Sequence, residues 1–166
     1  MNKKSYFDEI VNWKTDELSL VIHLAVKLIY SDGMADIQEW NVLHLLPALM
    51  EMLKSMESSE KAAEWQNKID QLDTILEAKN HNITIEETEL KTYFGNKNKQ
   101  EAVIYFLLYI ALADNVLHKK EIDFFKNHIL KPFGWTHDNM TEFIKKESHQ
   151  LPHSENLLKK VHLYFR

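Results

Sequence analysis

One short pattern occurs twice in this chain, each time after a long apolar run. The first copy is Asp32-Gly33-Met34-Ala35-Asp36-Ile37-Gln38-Glu39, after 20-LVIHLAVKLIY-30. The second is Asp114-Asn115-Val116-Leu117-His118-Lys119-Lys120-Glu121, after 102-AVIYFLLYIALA-113. The common plan is a buried helix, an Asp, a residue tolerant of positive φ, two apolar residues, three mainly polar ones and a Glu. Internal duplication constrains architecture more than any composition value, because two similar units must fold alike and share a core. It also sets acidic side chains at matched turns.

Few glycines and prolines interrupt the chain, three of each in 166 residues. Folds made of strands need many tight turns, so this scarcity predicts long helices. The spacing predicts a helix from Ser5 to Trp13 and a second, capped by Thr15, running to about Tyr30. Gly33 is placed to stop it and Asp36 to restart the chain. A third helix carries Trp40, Val42, Leu43, Leu45, Leu46, Leu49, Met50 and Leu53, with a kink or break expected before Pro47. Ala62, Trp65, Ile69, Leu72 and Leu76 form one apolar stripe on an amphipathic helix over about 57–80. This helix is expected to lie across the bundle and join the two copies. Thr84-x-x-Glu87 has capping-box spacing, and a short helix should run from it to about Phe94. Further helices are expected from Lys99 to Ala113, from Glu121 to Phe133 before Gly134, from Asp138 to His149, and from Ser154 to Tyr164. The chain therefore reads as one all-α domain, a bundle of about eight or nine helices. Its two pseudo-symmetric halves cover about 16–53 and 99–134.

Net charge is −5, and the lysine pairs lie apart among acids. Nucleic acid is not an expected partner, since binding it needs a concentrated basic face. There is no Cys, so disulfides and thiolate metal sites are excluded. The apolar run Ala102 to Ala113 is far shorter than the ~20 residues of a membrane span. The start of the chain lacks the apolar stretch of a signal peptide. A cytoplasmic location is the expectation.

Two accounts of the acidic turns compete. In the first, the carboxylates cap helices: Asp32 and Asp114 bond backbone N–H groups of the next helix, and Glu39 and Glu121 close each turn. In the second, they hold a divalent cation. Asp32, Asp36 and Glu39 offer the oxygen ligands that calcium or magnesium prefers. Asp114, His118 and Glu121 form a weaker counterpart in which His118 suits zinc better. The turn is too short for an EF-hand loop of ~12 residues.

The first turn, with Ala25-Val26-Lys27-Leu28-Ile29-Tyr30 before it, resembles the signature of the TerB-like (tellurite-resistance B) family. The resemblance covers roughly Asp16 to Leu53 and Gln100 to Phe133. The second half departs from the pattern at Asn115 and His118. The resemblance implies an all-helical domain of two pseudo-symmetric halves and a cytoplasmic, stress-associated module without enzymatic activity. It also implies a candidate divalent-metal site at the matched acids, and protein partners that include membrane-associated ones.

Catalytic constellations are not found. No Glu stands three residues before a His, His-Glu-x-x-His is missing, and neither a phosphate loop nor a Gly-x-Ser-x-Gly elbow is present. The expectation is a non-enzymatic binding or sensing module. Its alternative is an interaction scaffold whose acidic turns only cap helices.

Overall fold

The structure is a computed structural model that describes residues 6–31, 37–113, 118–147, 151 and 159. The described residues form helices and no strand. In chain order these are α1 (Tyr6–Val11), α2 (Thr15–Ile29), α3 (Ile37–Leu43), α4 (Leu45–Ser55), α5 (Ser59–Ala78), α6 (Glu87–Tyr93) and α7 (Lys97–Ala111). They continue with α8 (Lys119–Phe125), a π-helical turn (Lys126–Leu130), α9 (Lys131–Phe133) and α10 (His137–Lys146).

The two long apolar runs become α2 and α7, which pack against each other at the centre. Both are apolar nearly all round. Val21, Ile22, Ala25, Val26 and Leu28 of α2 have no exposed surface, and neither do Val103, Ile104, Phe106, Leu107, Leu108 and Ile110 of α7. A helix of this kind must be enclosed on every side. On α2 the enclosure comes from α3, α5 and α8, and on α7 from α1 and α3.

Local chemistry explains most boundaries. Pro47 cannot donate to the carbonyl of Leu43, and its ring crowds that group. The expected break accordingly falls at Leu43–His44, and α4 restarts at Leu45 with Pro47 in its first turn. Gly134 ends α9 at φ 72°, as its place after Phe133 predicts. Just ahead of it, the π-helical turn precedes Pro132, which has no N–H to give the carbonyl four residues back. The stripe on α5 is placed as expected, with Ile69, Leu72 and Leu76 buried.

Several boundaries differ from the sequence reading. Thr15 is the first residue of α2 and not its cap; the cap position is Lys14, whose N–H donates to Glu17 Oε1 at 3.2 Å. The Thr84 box does not form, because α6 begins at Glu87 with Glu86 as cap. Asn96 caps α7 earlier than expected, its Oδ1 accepting the Lys99 N–H at 2.8 Å. Thr136 caps α10, whose last helical residue is Lys146. α5 packs chiefly on α4 and α2, in the first half of the chain. The proposed stop at Gly33, the restart at Asp36 and the Ser5 and Ser154 caps lie outside the described residues.

Two substitutions test this layout by chemical denaturation. Phe106→Ala, at a side chain with no exposed surface, should cost ~3–5 kcal/mol. Gly134→Ala should cost only about 1 kcal/mol. An added methyl there meets no atom within 4 Å, so backbone strain acts alone.

Candidate functional site

Three of the six acidic-turn candidates, Glu39, His118 and Glu121, fall among the described residues; Asp32, Asp36 and Asp114 do not. Glu39 and Glu121 each stand third in a short helix, α3 and α8, and each is 1% exposed. Glu121 Oε1 accepts the backbone N–H of His118 at 3.1 Å. His118 is the N-cap of α8, with extended backbone angles. Its imidazole Nε2 lies 4.0 Å from the same Glu121 oxygen and is substantially exposed.

Glu17 shows the same device where no acidic turn precedes it. It is third in α2, 6% exposed, and bonded to the N–H of the capping residue. It also pairs with Lys99 of α7. Burying a carboxylate is costly unless hydrogen bonds and a counter-charge compensate. Placing it over the first turn of a helix supplies orphan N–H donors and the positive end of the dipole. Among the described residues, no group of three or more His, Asp or Glu is arranged to hold a metal ion.

Beside the end of α2 lies an open groove of about 410 Å³. Lys27, Lys120, His81 and His128 border it, with Asp123 the acid on its wall. Lys27 Nζ is spent on the carbonyls of Ile83 and His81, at 2.7 and 3.2 Å. The His81 ring stacks on Tyr30 with centroids 4.5 Å apart. These neighbours give the groove more basic than acidic character.

A second polar cluster escaped the sequence reading. Tyr6, at the start of α1, donates its phenol O–H toward two carboxylates, Glu147 Oε1 at 3.0 Å and Glu101 Oε2 at 3.3 Å. Lys146 Nζ lies 3.2 Å from Glu101 Oε2 and 3.9 Å from Glu147 Oε1. Glu101 and Glu147 are 8% and 1% exposed. The cluster ties α1, α7 and the end of α10 together. No local spacing announces it, since its partners are 95 and 141 residues apart. Rings pack around it: Tyr105 is 4.7 Å and Phe143 6.3 Å from Tyr6. Outside it is a cavity of about 380 Å³ lined by Glu101, Lys146, Phe143 and Trp135, among others. The indole N–H of Trp135 donates to Gln100 Oε1 at 3.0 Å, which fixes that wall.

Burial raises the phenol pKa of Tyr6 far above its ordinary value, and the hydrogen bond to Glu147 raises it further. Tyr105 is pushed up to about 12, by burial first and then by Tyr109 and Glu147. Both phenols stay neutral at physiological pH, so Tyr6 acts as a fixed donor between acids.

No protein-family profile, curated protein or solved structure matches this chain. Among the described residues, no helix is long and apolar enough to cross a membrane.

The tyrosine cluster predicts alkaline instability. An exposed phenol in the unfolded chain titrates near pH 10, below the folded values of Tyr6 and Tyr105. Stability is then intact below about pH 10 and falls as pH rises toward and past 12. Urea melts across this range should show a steeper loss for the wild type than for Tyr6→Phe. At pH 7 that variant should be less stable by about 1–3 kcal/mol, because buried carboxylates lose their donor.

Proposed function

We propose that this chain is a TerB-like, non-enzymatic interaction module whose acidic turns are structural. The supporting observation is the threefold use of one device: Glu17, Glu39 and Glu121 are each buried at the third position of a helix. In the two whose bonds are defined, the carboxylate holds the N–H of the capping residue. The α2 copy does this with no Asp-Gly turn before it. Helix capping thus accounts for the recurrent Glu without a ligand. The TerB-like likeness rests on the repeated turn and on two central apolar helices, each followed by a short helix with a buried Glu. It makes the module stress-associated and cytoplasmic, with a protein as its partner.

A divalent-metal form of the module would hold a cation with Glu39 together with Asp32 and Asp36. Titration of calcium, magnesium, manganese and zinc into chelator-treated protein separates the two forms. The capping reading expects no saturable heat and an unchanged melting temperature with or without chelator. It also expects Glu121→Ala to lose about 1 kcal/mol in either condition. Saturable binding that raises the melting temperature and disappears in Glu39→Gln would replace it with the metal-binding form.

A further inference from the structure

The cavity of about 380 Å³ beside the Tyr6 cluster is walled by two helices and the connection between α9 and α10. On α10, Glu142 and Lys146 stand one turn apart with Phe143 next to Glu142, so one side of that helix supplies all three. The first turns of α7 supply Lys97, Gln100 and Glu101 at the same kind of spacing. Trp135 closes the space from the connection, and its position is fixed. Its ring meets Phe143 edge-on with centroids 5.6 Å apart, and its indole N–H is bonded to Gln100. Gln100 in turn donates Nε2 to the Phe94 carbonyl at 2.9 Å. Among the described residues that line the cavity, four are charged: Lys97, Glu101, Glu142 and Lys146. They differ in commitment. Lys146 and Glu101 are paired at 3.2 Å, and Glu101 also takes the Tyr6 phenol. Lys97 and Glu142 are exposed, and among the described residues they form no ion pair with each other or with any other side chain.

We infer that this cavity binds a free α-amino acid with an aromatic side chain, held as its zwitterion. This goes beyond the interaction module proposed above and does not depend on how the acidic turns are used. An amino acid carries one ammonium and one carboxylate on the same carbon. Two uncommitted opposite charges, one from each helix, match that head group. Glu142 takes the ammonium and Lys97 the carboxylate, through charge-assisted hydrogen bonds. The inner pair of Lys146 and Glu101 is already compensated, so it asks for no further charge. A ligand with a single charge is disfavoured either way: an anion faces Glu142, and a cation faces Lys97. The side chain then packs on Trp135, where an aromatic ring gains more than its buried area alone would give. Because Gln100 fixes Trp135 in advance, the ligand has little of that wall to order. The volume lies in the range of about 300–1,000 Å³ usual for small-molecule sites.

The test is calorimetric titration of L-phenylalanine into the full chain, with three analogues beside it. L-alanine lacks the ring, phenethylamine lacks the carboxylate and hydrocinnamate lacks the ammonium. The expected result is saturable binding of phenylalanine, with each analogue weaker by about tenfold or more. Lys97→Gln and Glu142→Gln change exposed side chains, and circular dichroism melts check that both variants fold. Each should weaken phenylalanine about tenfold or more. Lys97→Gln should also cease to prefer phenylalanine over phenethylamine, and Glu142→Gln should cease to prefer it over hydrocinnamate. An absence of saturable heat at millimolar phenylalanine overturns the proposal. So does any analogue that binds wild type as tightly as phenylalanine: phenethylamine would make this a cation site, hydrocinnamate an anion site, and alanine a site without a ring pocket. Equal affinity of wild type and both variants would place the ligand elsewhere and overturns it too. The metal titration above probes other residues, so failure here is distinguishable from failure of the capping reading.

Discussion

The enclosure of α2 and α7 is the constraint on which the rest of this structure depends. Each is a 15-residue helix with buried side chains on every side. Their apolar faces are covered directly by α1, α3, α5 and α8, and α4 lies on α5, α3 and α1. Burial at about 25 cal/mol per Å² of apolar surface makes this central pair the main source of stability. It also creates the main electrostatic problem, because the ends of buried helices and the starts of their neighbours carry unpaired backbone groups.

The buried glutamates answer that problem. Glu17 meets the start of α2 and the Lys99 ammonium of α7, so a capping residue of one central helix also ties it to the other. Glu121 meets the start of α8, which packs on α2. Glu101 and Glu147 share the Tyr6 phenol and Lys146, so the end of the chain's last described helix is fastened to its first. Glu17, Glu101, Glu121 and Glu147 serve as polar joints in an apolar bundle. Their carboxylates are committed to backbone N–H, phenol or ammonium partners at hydrogen-bond distance.

α4 uses one face against α5 and α1 and leaves Leu45, Met52 and Met56 exposed. Buried carboxylates thus serve internal joints, while Met52 and Met56 are exposed on α4 and at its end. That division of labour is why the module is proposed to bind rather than to catalyse.

Much of this was readable in advance from single residues. The run 102–113 must be a buried helix because it is apolar on all sides. Pro47 must break the chain near Leu43, and Gly134 must end a helix. These follow from local sterics and periodicity, which a sequence carries in full. The errors have a common cause. Thr15 and Thr84 are sound cap residues locally, but the helices start at Thr15 and Glu87, with Lys14 and Glu86 at the cap positions. The Tyr6 cluster and the exposed side of α4 were not readable at all. Both depend on which distant surfaces meet, and apposition across the fold leaves no trace in local spacing. The sequence by itself thus determined the helices and the two that lie at the centre. Only the tertiary structure decided which acids are internal and which apolar face remains open, because the covering of each helix depends on all the others.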